Sequence, residues 1–477
     1  MRVTFVNSQK DMYPPIGICY LSAYLKKYRK DVTVNLIELA RGENPHQALK
    51  KIIATRPDIV GFTTYTVGIC EVIFLSQFLK NEEPGIVVIW GGPHITSLPS
   101  TLPSCVDAGI IGEGEQTFFE FCEQFISNRR LCRESLSQIK GLCFHMGEGV
   151  VITPPRPYLE SLDDIAAPDI SLLDMGWYTA LKRFLVMSGN YRGFILLTSR
   201  GCPYHCRFCQ AAKHWGMIRY HSAERVVYEI ANLRNRHPHI NAINIIDDLF
   251  IADRGRLRDI VQLIRGSHLH DGIVFNVNGR ANIVDEEILD LLKSMNVVQI
   301  SYGFESGSER ILNFLKRGSV ELWQNKRAAS LTNQYGIGVG GQFMIGAPDE
   351  TEEEIRQTID FIASHKMSHA HLSVTIPLPG TELWEICKQK GLVSETTDWK
   401  KLDFGNPRNP DLLYIDESIP RKRFKYLLRL AQKACDKWNH PRTVRDYIEL
   451  IRVHSGIEFI KGLFREVLYK IHGVFTR

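Results

Sequence analysis

Strand-like and helix-like segments alternate along this sequence in two separate series, and each series implies a parallel sheet. In the first, Arg2–Asn7 is an apolar-rich strand, and Ile16–Tyr28 carries Ile18, Leu21, Leu25 and Tyr28 at helical spacing. Val32–Glu38 reads as a strand and Pro45–Ala54 as a helix. Asp58–Thr64 is a nearly continuous apolar run, as expected of a strand buried on both faces. A helix over Cys70–Lys80, strands over Gly85–Trp90 and Gly109–Ile111, and a helix over Thr117–Ile126 complete the series. This βαβα order predicts a doubly wound sheet, whose ligands lie beyond the carboxyl ends of its strands. Those ends are Asn7–Gly17, Thr63–Gly68, Gly91–Ser97 and Gly112–Gln116.

The second series starts at Phe194. Strands are expected at Phe194–Ser199, Ala242–Asp247, Ile273–Asn278, Val298–Phe304, Gly338–Ile345 and His371–Ile376. The helices between them fall at Ala223–Arg234, Arg254–Arg265, Asp285–Met295, Ser308–Phe314 with Glu321–Tyr335, and Glu350–His365. Six βα units fit a partial or full α/β barrel, again with its site at the strand carboxyl ends. The whole is therefore an α/β chain: a Rossmann-like domain over 1–135, a connector over 136–190, a partial (β/α)6 barrel over 191–395 and a mainly helical region over 396–477. Thr153-Pro-Pro-Arg-Pro157 and Ala167-Pro168 break regular structure inside the connector.

With 44% hydrophobic and 23% charged residues in 477, the chain is neither disordered nor a coiled coil. The net charge of +5 is too mild to argue for nucleic acid, and no nucleic-acid partner is expected. No run of about 18 apolar residues is present, so no segment is expected to span a membrane. The start, Met-Arg-Val-Thr-Phe-Val-Asn7, reads as a strand and not as a leader, and the eleven cysteines are odd in number and scattered. Together these predict a reducing, cytoplasmic location without a disulfide framework. Cys70, Cys105, Cys122 and Cys143 read as core residues, and no role is assigned to Cys19 or Cys387.

Only Cys202-Pro-Tyr-His-Cys206-Arg-Phe-Cys209 forms a cluster, directly after an expected strand. Three thiolates in one loop can hold three irons of a 4Fe–4S cluster, leaving the fourth open to a small molecule. Zinc would need a second pair or a histidine; His205 lies between the cysteines, but there is no second pair. On spacing alone the iron–sulfur reading leads, with zinc or a chance trio as the alternatives.

The surroundings decide further. Thr198-Ser-Arg-Gly-Cys202, with Phe208 just ahead of the last cysteine, resembles the radical S-adenosylmethionine (SAM) enzymes. The likeness continues at later strand ends, through Asp247-Asp248-Leu-Phe250, Gly303-Phe-Glu305-Ser306-Gly307, Phe343-Met-Ile-Gly346-Ala-Pro348-Asp-Glu350 and Pro377-Leu-Pro379-Gly380-Thr381. It implies a 4Fe–4S cluster on Cys202, Cys206 and Cys209, SAM on its open iron, an electron donor such as flavodoxin or ferredoxin, and a 5′-deoxyadenosyl radical that takes hydrogen from an unactivated carbon. It also implies SAM contacts. Glu305 and Ser306 would meet the ribose or amino group. Arg317 would meet the methionyl carboxylate, unless it is a solvated helix end. Backbone at Phe208, Gly346 and Pro377 would face the adenine. Asp247 and Asp248 are polar groups near SAM or substrate, or helix caps.

The loops of the first series carry a second resemblance. Tyr13-Pro14-Pro15-Ile16-Gly17, Asp58-Ile-Val-Gly-Phe-Thr63 running into Thr64-Tyr65, Gly91-Gly92-Pro93-His94 and Gly112-Glu113-Gly114-Glu115 resemble the cobalamin-binding half of the cobalamin-dependent radical SAM class. With the barrel, the likeness covers roughly residues 1–390. It implies that these residues cradle cobalamin. Glycines let backbone approach the corrin, and helix-start N–H groups suit the phosphate of its tail. No Asp-x-His-x-x-Gly occurs, so no histidine is expected on cobalt. His94 falls in the nucleotide-tail loop, and Tyr65 or a neighbour within Thr64–Val67 would face the lower side of the cobalt. A domain that binds nothing is the alternative.

From Lys401 onward, basic residues outnumber acidic ones by seven, and residues 457–475 place apolar side chains at helical spacing between Lys461, Arg465 and Lys470. That stripe could lie on a membrane surface near a lipid-like substrate, close over the substrate, or dock on the barrel. The activity implied is methyl transfer from methylcobalamin to an unactivated carbon of a small-molecule, tetrapyrrole or lipid substrate. Resemblance to the anaerobic magnesium-protoporphyrin monomethyl ester cyclase makes an oxidative cyclase or rearrangement the alternative. A non-catalytic cobalamin-binding protein is a third reading, opposed by the intact cysteine trio.

Overall fold

The computed structural model describes residues 1–8, 13–39, 44–128, 131–179, 191–402, 412–416 and 418–439, without the side chains of 212 and 213. The first sheet has seven strands: β1 (Arg2–Asn7), β2 (Thr33–Glu38), β3 (Ile59–Thr63), β4 (Val87–Gly91), β5 (Ala108–Ile110), β6 (Leu142–Met146) and β7 (Gly149–Ile152). Their order is β2-β1-β3-β4-β5-β6-β7, parallel as far as β5. Because β1 pairs with both β2 and β3, the winding reverses between β1 and β3, and a crevice opens beyond Asn7 and Thr63. Alternate strand residues build the two faces. Val3 and Phe5 pack with Ile18, Leu25, Phe118 and Phe121 of helices Ile16–Tyr28 and Gly114–Asn128. Val6, Val60 and Phe62 pack with Leu49, Ile52, Val72 and Leu75 of helices Pro45–Ala54 and Ile69–Glu82.

β6 and β7 fall inside the stretch expected to be a connector, so the first sheet continues past residue 135. They form an antiparallel hairpin across Gly147-Glu148, with Gly147 at φ 63°. A hairpin carries no helix between its strands, so the alternation that exposed the other strands does not register it.

The second sheet holds β8 (Gly193–Leu196), β11 (Ala242–Ile245), β12 (Val274–Gly279), β13 (Val297–Glu305), β14 (Gly338–Ile345) and β15 (His369–Val374). Between β8 and β11 lies a two-residue antiparallel ribbon, β9 (Ser199–Arg200) with β10 (Arg219–Tyr220). The sheet order β15-β14-β13-β12-β11-β8 is parallel throughout, and β8 and β15 do not pair, so the barrel is an open half-barrel. Ile243, Ile245, Phe275, Val277, Ile300, Tyr302 and Phe343 belong to a buried core shared with the outer helices. Those helices start on side-chain caps: Ser222, Asp253, Asp285 and Thr351, the last in a reciprocal box with Glu354. Helix Arg421–Asn439 packs Phe424, Leu427, Ala431 and Cys435 inward, and Asn439 bonds both the N–H and the C=O of Ala370 at 2.9 and 2.6 Å. It thereby covers the edge strand β15.

All eleven cysteines are free, with Cys105, Cys122 and Cys143 buried and Cys70 half-buried. Among the described residues no helix is long and apolar enough to cross a membrane. The apolar stripe at 457–475 lies outside the described residues.

Candidate active site

The carboxyl ends of the two sheets meet. After β4, Ser97 Oγ lies 2.9 Å from His214 Nε2, and Gln210 Nε2 reaches Ser97 Oγ at 3.4 Å and the Pro379 carbonyl at 2.7 Å. One glutamine thus ties the first sheet, the cysteine segment and the end of the last barrel strand. Tyr13, beyond β1, is hydrogen-bonded to the side chain of Asn244 on β11. Trp399 sits edge-on to His94 at 4.9 Å and stacks on Trp384 at 6.1 Å.

The ribbon β9–β10 is the neck of the loop that carries all three cysteines. Its first strand is clasped at the entry by Asp247, fully buried, which accepts hydrogen bonds from Thr198 N (2.6 Å), Thr198 Oγ1 (2.5 Å) and Ser199 Oγ (2.6 Å). Farther along, Arg207 N–H donates to the Leu315 carbonyl, and the Arg207 carbonyl accepts from Leu383 N–H, both at 2.9 Å. The thiols of Cys202, Cys206 and Cys209 share one space. Burial pushes the Cys202 thiol up and the Cys209 thiol up to about 12; Asp248 and Cys206 push both the same way, and Cys202 adds to the rise at Cys209. Arg280 Nη1 points at Cys206 Sγ from 3.4 Å, its guanidinium lying 3.7 Å over the Tyr204 ring.

Among the described residues no three His, Cys, Asp or Glu side chains converge as the ligands of one metal ion would. A multi-iron cluster takes one thiolate per iron, which needs a wider spread, and three half-buried thiols at one mouth beside a guanidinium fit it. Asp248 opens on the same mouth; burial, then Asp247, raises it to about 6.

The expected SAM contacts are placed unevenly. Glu305 ends β13 at φ 61°, and its carboxylate holds Lys316 Nζ at 2.7 Å, with Lys316 Nζ 5.7 Å from the Phe208 ring. Ser306 is fully buried, and its hydroxyl bonds Thr358 Oγ1 and Ser308 N–H, both at 3.1 Å. The Ser306 hydroxyl thus holds the N–H of Ser308, whose own hydroxyl caps the helix Glu309–Lys316. Arg317, at φ 55° past that helix, pairs with Glu382, as Arg207 does. Gly346 turns at φ 84°, its N–H donating to Glu350 Oε2 at 2.6 Å, and Pro377 is buried just past β15.

In the first sheet, Tyr13 and Tyr65 follow the two strands that flank the reversal, each 49% exposed. Pro14 is buried, Pro15 and Ile16 are half-buried, and Gly17 is exposed with open space at its Cβ position. Gly92, at φ 106°, lets backbone run where a Cβ would come within 2.8 Å of the Thr64 carbonyl; Pro93 follows it into a short helix. The Thr64 hydroxyl donates to the Gly91 carbonyl at 2.9 Å and is inward-facing. His94 is buried, with Nδ1 3.2 Å from Thr66 Oγ1, and burial pulls it down to about 4. The side chains of Thr64 and His94 therefore brace the loop. Gly112 turns at φ 77°, and Gly114 opens helix Gly114–Asn128. Glu113 and Glu115 turn their carboxylates to Arg200 and Arg219 of the neck.

The rows that face the inside of the half-barrel are polar, and the buried Glu305–Lys316 pair lies against Gly303 at their end. In register across the strands run Ile195, Asn244, Asn276 and Gln299; then Asn278, Ser301, Gly340 and His369; then Gly303, Gln342 and His371. Desolvation lowers both imidazoles from their ordinary value. Asn276 is 6% exposed, and its Oδ1 has no partner among the described residues. Sequence reading missed Arg280, Asn276 and the Arg200–Arg219 neck. Asn276-Val-Asn-Gly-Arg280, a polar run ending the third strand, is the signal that was there.

The model of the radical SAM superfamily matches residues 196–362, and that of the B12 binding domain matches residues 2–121. An uncharacterized methyltransferase of Pyrococcus horikoshii is 32% identical over 393 residues, 81% of this chain and 81% of the relative. An anaerobic magnesium-protoporphyrin IX monomethyl ester cyclase of Rubrivivax gelatinosus is 27% identical over 449 residues, 91% and 78% of the two chains. The solved structure of the radical S-adenosylmethionine methyltransferase TsrM from Kitasatospora setae, with cobalamin and a 4Fe–4S cluster bound, shares the fold at a TM-score of 0.65 and 20% identity, covering 82% of this chain and 75% of that one.

Proposed function

Because the chain belongs to the radical SAM superfamily, in the branch that also carries a B12-binding domain, we propose that it transfers a methyl group to an unactivated carbon. The observation that carries this is the meeting of the two mouths: the Ser97–Gln210–Pro379 tie leaves the crevice of the first sheet and the cysteine loop facing one space. When bound there, cobalamin supplies the methyl group, and the 4Fe–4S cluster with SAM supplies the radical. Cys202, Cys206 and Cys209 would hold the cluster, with Arg280 offsetting its negative charge. Glu305, Arg317 and the backbone of Phe208, Gly346 and Pro377 would hold SAM. The loops at Tyr13–Gly17, Thr64-Tyr65, Gly91–His94 and Gly112–Glu115 would hold cobalamin, with Tyr65 toward its lower side.

The chain's own share is to orient and to exclude water. The amide and hydroxyl rows of the lumen hold the substrate by hydrogen bonds. The substrate is a small molecule, a tetrapyrrole or a lipid. A flavodoxin or ferredoxin would deliver the electron. A cytoplasmic enzyme touching the membrane surface through 457–475 is the arrangement a lipid substrate would favour.

The test is anaerobic. Reconstituted, cobalamin-loaded protein receives SAM with a deuterated methyl group, a reductant and a small-molecule and lipid extract, and mass spectrometry follows the label. A deuterated methyl in a new product, formed with 5′-deoxyadenosine, is expected. A new unlabelled product with 5′-deoxyadenosine would replace methyl transfer with the oxidative reaction of the cyclase kind, which the 27% identity across 91% of the chain favours as second reading.

A further inference from the structure

Arg200 and Arg219 are register partners across the two-residue ribbon that closes the cysteine loop, and both are buried, at 5% and 7% exposure. Like charges directly opposite each other repel, and a ribbon this short does not hold itself closed in water. What offsets the repulsion comes from the other domain. Glu113 Oε1 accepts from Arg200 Nη1 at 2.8 Å and from Arg219 Nη2 at 2.9 Å, and Glu113 Oε2 accepts from Arg219 Nη1 at 3.0 Å. Glu115 Oε1 takes the remaining prong of Arg200 at 2.6 Å. Two carboxylates of one loop thus neutralise two guanidiniums of another. Aromatic rings close the assembly: Tyr20 and Trp215 lie 5.2 and 5.6 Å from the Arg200 guanidinium, and Tyr158 lies 4.7 Å from that of Arg219. Gly201 and Cys202 follow Arg200 directly.

We propose that Glu113 is the brace through which the Gly112–Glu115 loop and the cysteine loop position each other, so that cobalamin at one mouth and the cluster at the other bind cooperatively. The inference rests on the reading of these loops as the cobalamin and cluster loops. Its physical content is linkage. A loop that can order only when its neck is neutralised lends its ordering to the loop that neutralises it, and the coupling is reciprocal. Glu113 is a positioning residue: it touches the neck, and the neck carries Cys202.

The experiment measures the affinity of the full chain for hydroxocobalamin by equilibrium dialysis, with the cluster reconstituted and after iron is chelated away. Wild-type protein is expected to bind on the order of tenfold more tightly with the cluster in place. Glu113→Gln keeps the shape and removes the charge, and the ratio should fall to near one. Arg219→Lys keeps the charge and loses the two-pronged contact, and should give an intermediate ratio; it serves as the readout if Glu113→Gln fails to fold. Glu120→Gln breaks the Arg156–Glu120 pair inside the first domain and should leave the ratio unchanged. A wild-type ratio of one, or a wild-type ratio kept in both neck variants, overturns the inference. Wild-type protein that binds no hydroxocobalamin in either state overturns the functional reading itself, which is a different result.

Discussion

Arg317 and Glu382 form an ion pair over the top of the half-barrel, with Arg317 Nε donating to Glu382 Oε2 at 2.7 Å. The other oxygen of Glu382 accepts from Arg207 Nε at 2.9 Å, so one carboxylate serves both the cysteine loop and the arginine expected on the SAM carboxylate. Arg317 is 48% exposed, and a pair that open is worth about 0–1 kcal/mol. Arg317 can therefore exchange Glu382 for a ligand carboxylate at small cost. Arg317→Ala is expected to weaken SAM binding roughly 10- to 100-fold, the loss of a charge-assisted hydrogen bond of about 1.5–3 kcal/mol. Its melting temperature should move by less than about 3 °C. Calorimetric titration with SAM checks it; unchanged affinity would leave Arg317 a solvated helix end.

Asp247 offers a contrast, because it is sealed. It accepts three hydrogen bonds from Thr198 and from Ser199, the first residue of the ribbon, and burial raises its carboxyl. Asp247→Ala orphans these donors, at about 1–3 kcal/mol each for those left unsatisfied. The expected result is a protein that unfolds at clearly lower denaturant and retains little iron after reconstitution. Asp247→Asn, which keeps one acceptor oxygen, should fall between. Iron content per chain and a urea unfolding curve decide; wild-type iron in the alanine variant would show that the clasp does not hold the cysteine loop.

These two residues also mark what the sequence makes legible. Both sheets could be read because their parallel strands are apolar runs separated by helices. The cysteine loop could be read because its chemistry is local. Three kinds of feature could not. The β6–β7 hairpin lacks an intervening helix, and the β9–β10 ribbon is two residues long, below any periodicity. Partnerships across long separations are silent as well: Glu113 reaches Arg200 over 87 residues. Side-chain direction is the third. Thr64, Ser306 and His94 stand in the expected loops, but their side chains turn into the protein, which depends on packing and not on position.

Asn276 stands between Asn244 and Gln299 in the lumen, opposite in direction to the core residues Phe275 and Val277. A buried amide oxygen without a partner calls for a donor from water or ligand. Asn276→Ala should lower product formation about tenfold, in line with one lost hydrogen bond. Asn276→Asp, adding an unpaired charge, should cost more. In both, 5′-deoxyadenosine should continue to form, so its ratio to product rises. That ratio, read by chromatography, distinguishes a substrate contact from a folding defect, which would lower both together.

Glu350 gives the pH prediction. It is fully buried behind Gly346, accepting the N–H groups of Gly346 and Ala347 at 2.6 and 3.0 Å, while its Oε1 has no partner among the described residues. Burial pushes its carboxyl up to about 8; the two N–H groups pull it down, and Asp416 pushes it further up. A folded pKa above the unfolded one means that the native state holds the proton more tightly. The stability this contributes is full below the unfolded carboxyl range, about pH 4.3. It is lost as pH rises toward about 8, beyond which it changes no further. Melting temperature should therefore fall between pH 5 and pH 8. Glu350→Gln, neutral at every pH, should flatten that fall and melt several degrees higher than wild type at pH 9, at about 2–4 °C per kcal/mol. Parallel melting curves for the two proteins from pH 5 to 9 would mean that Glu350 is already ionised in the native state. The pocket behind the Gly346 turn would then carry a negative charge, beside the backbone expected to face the adenine.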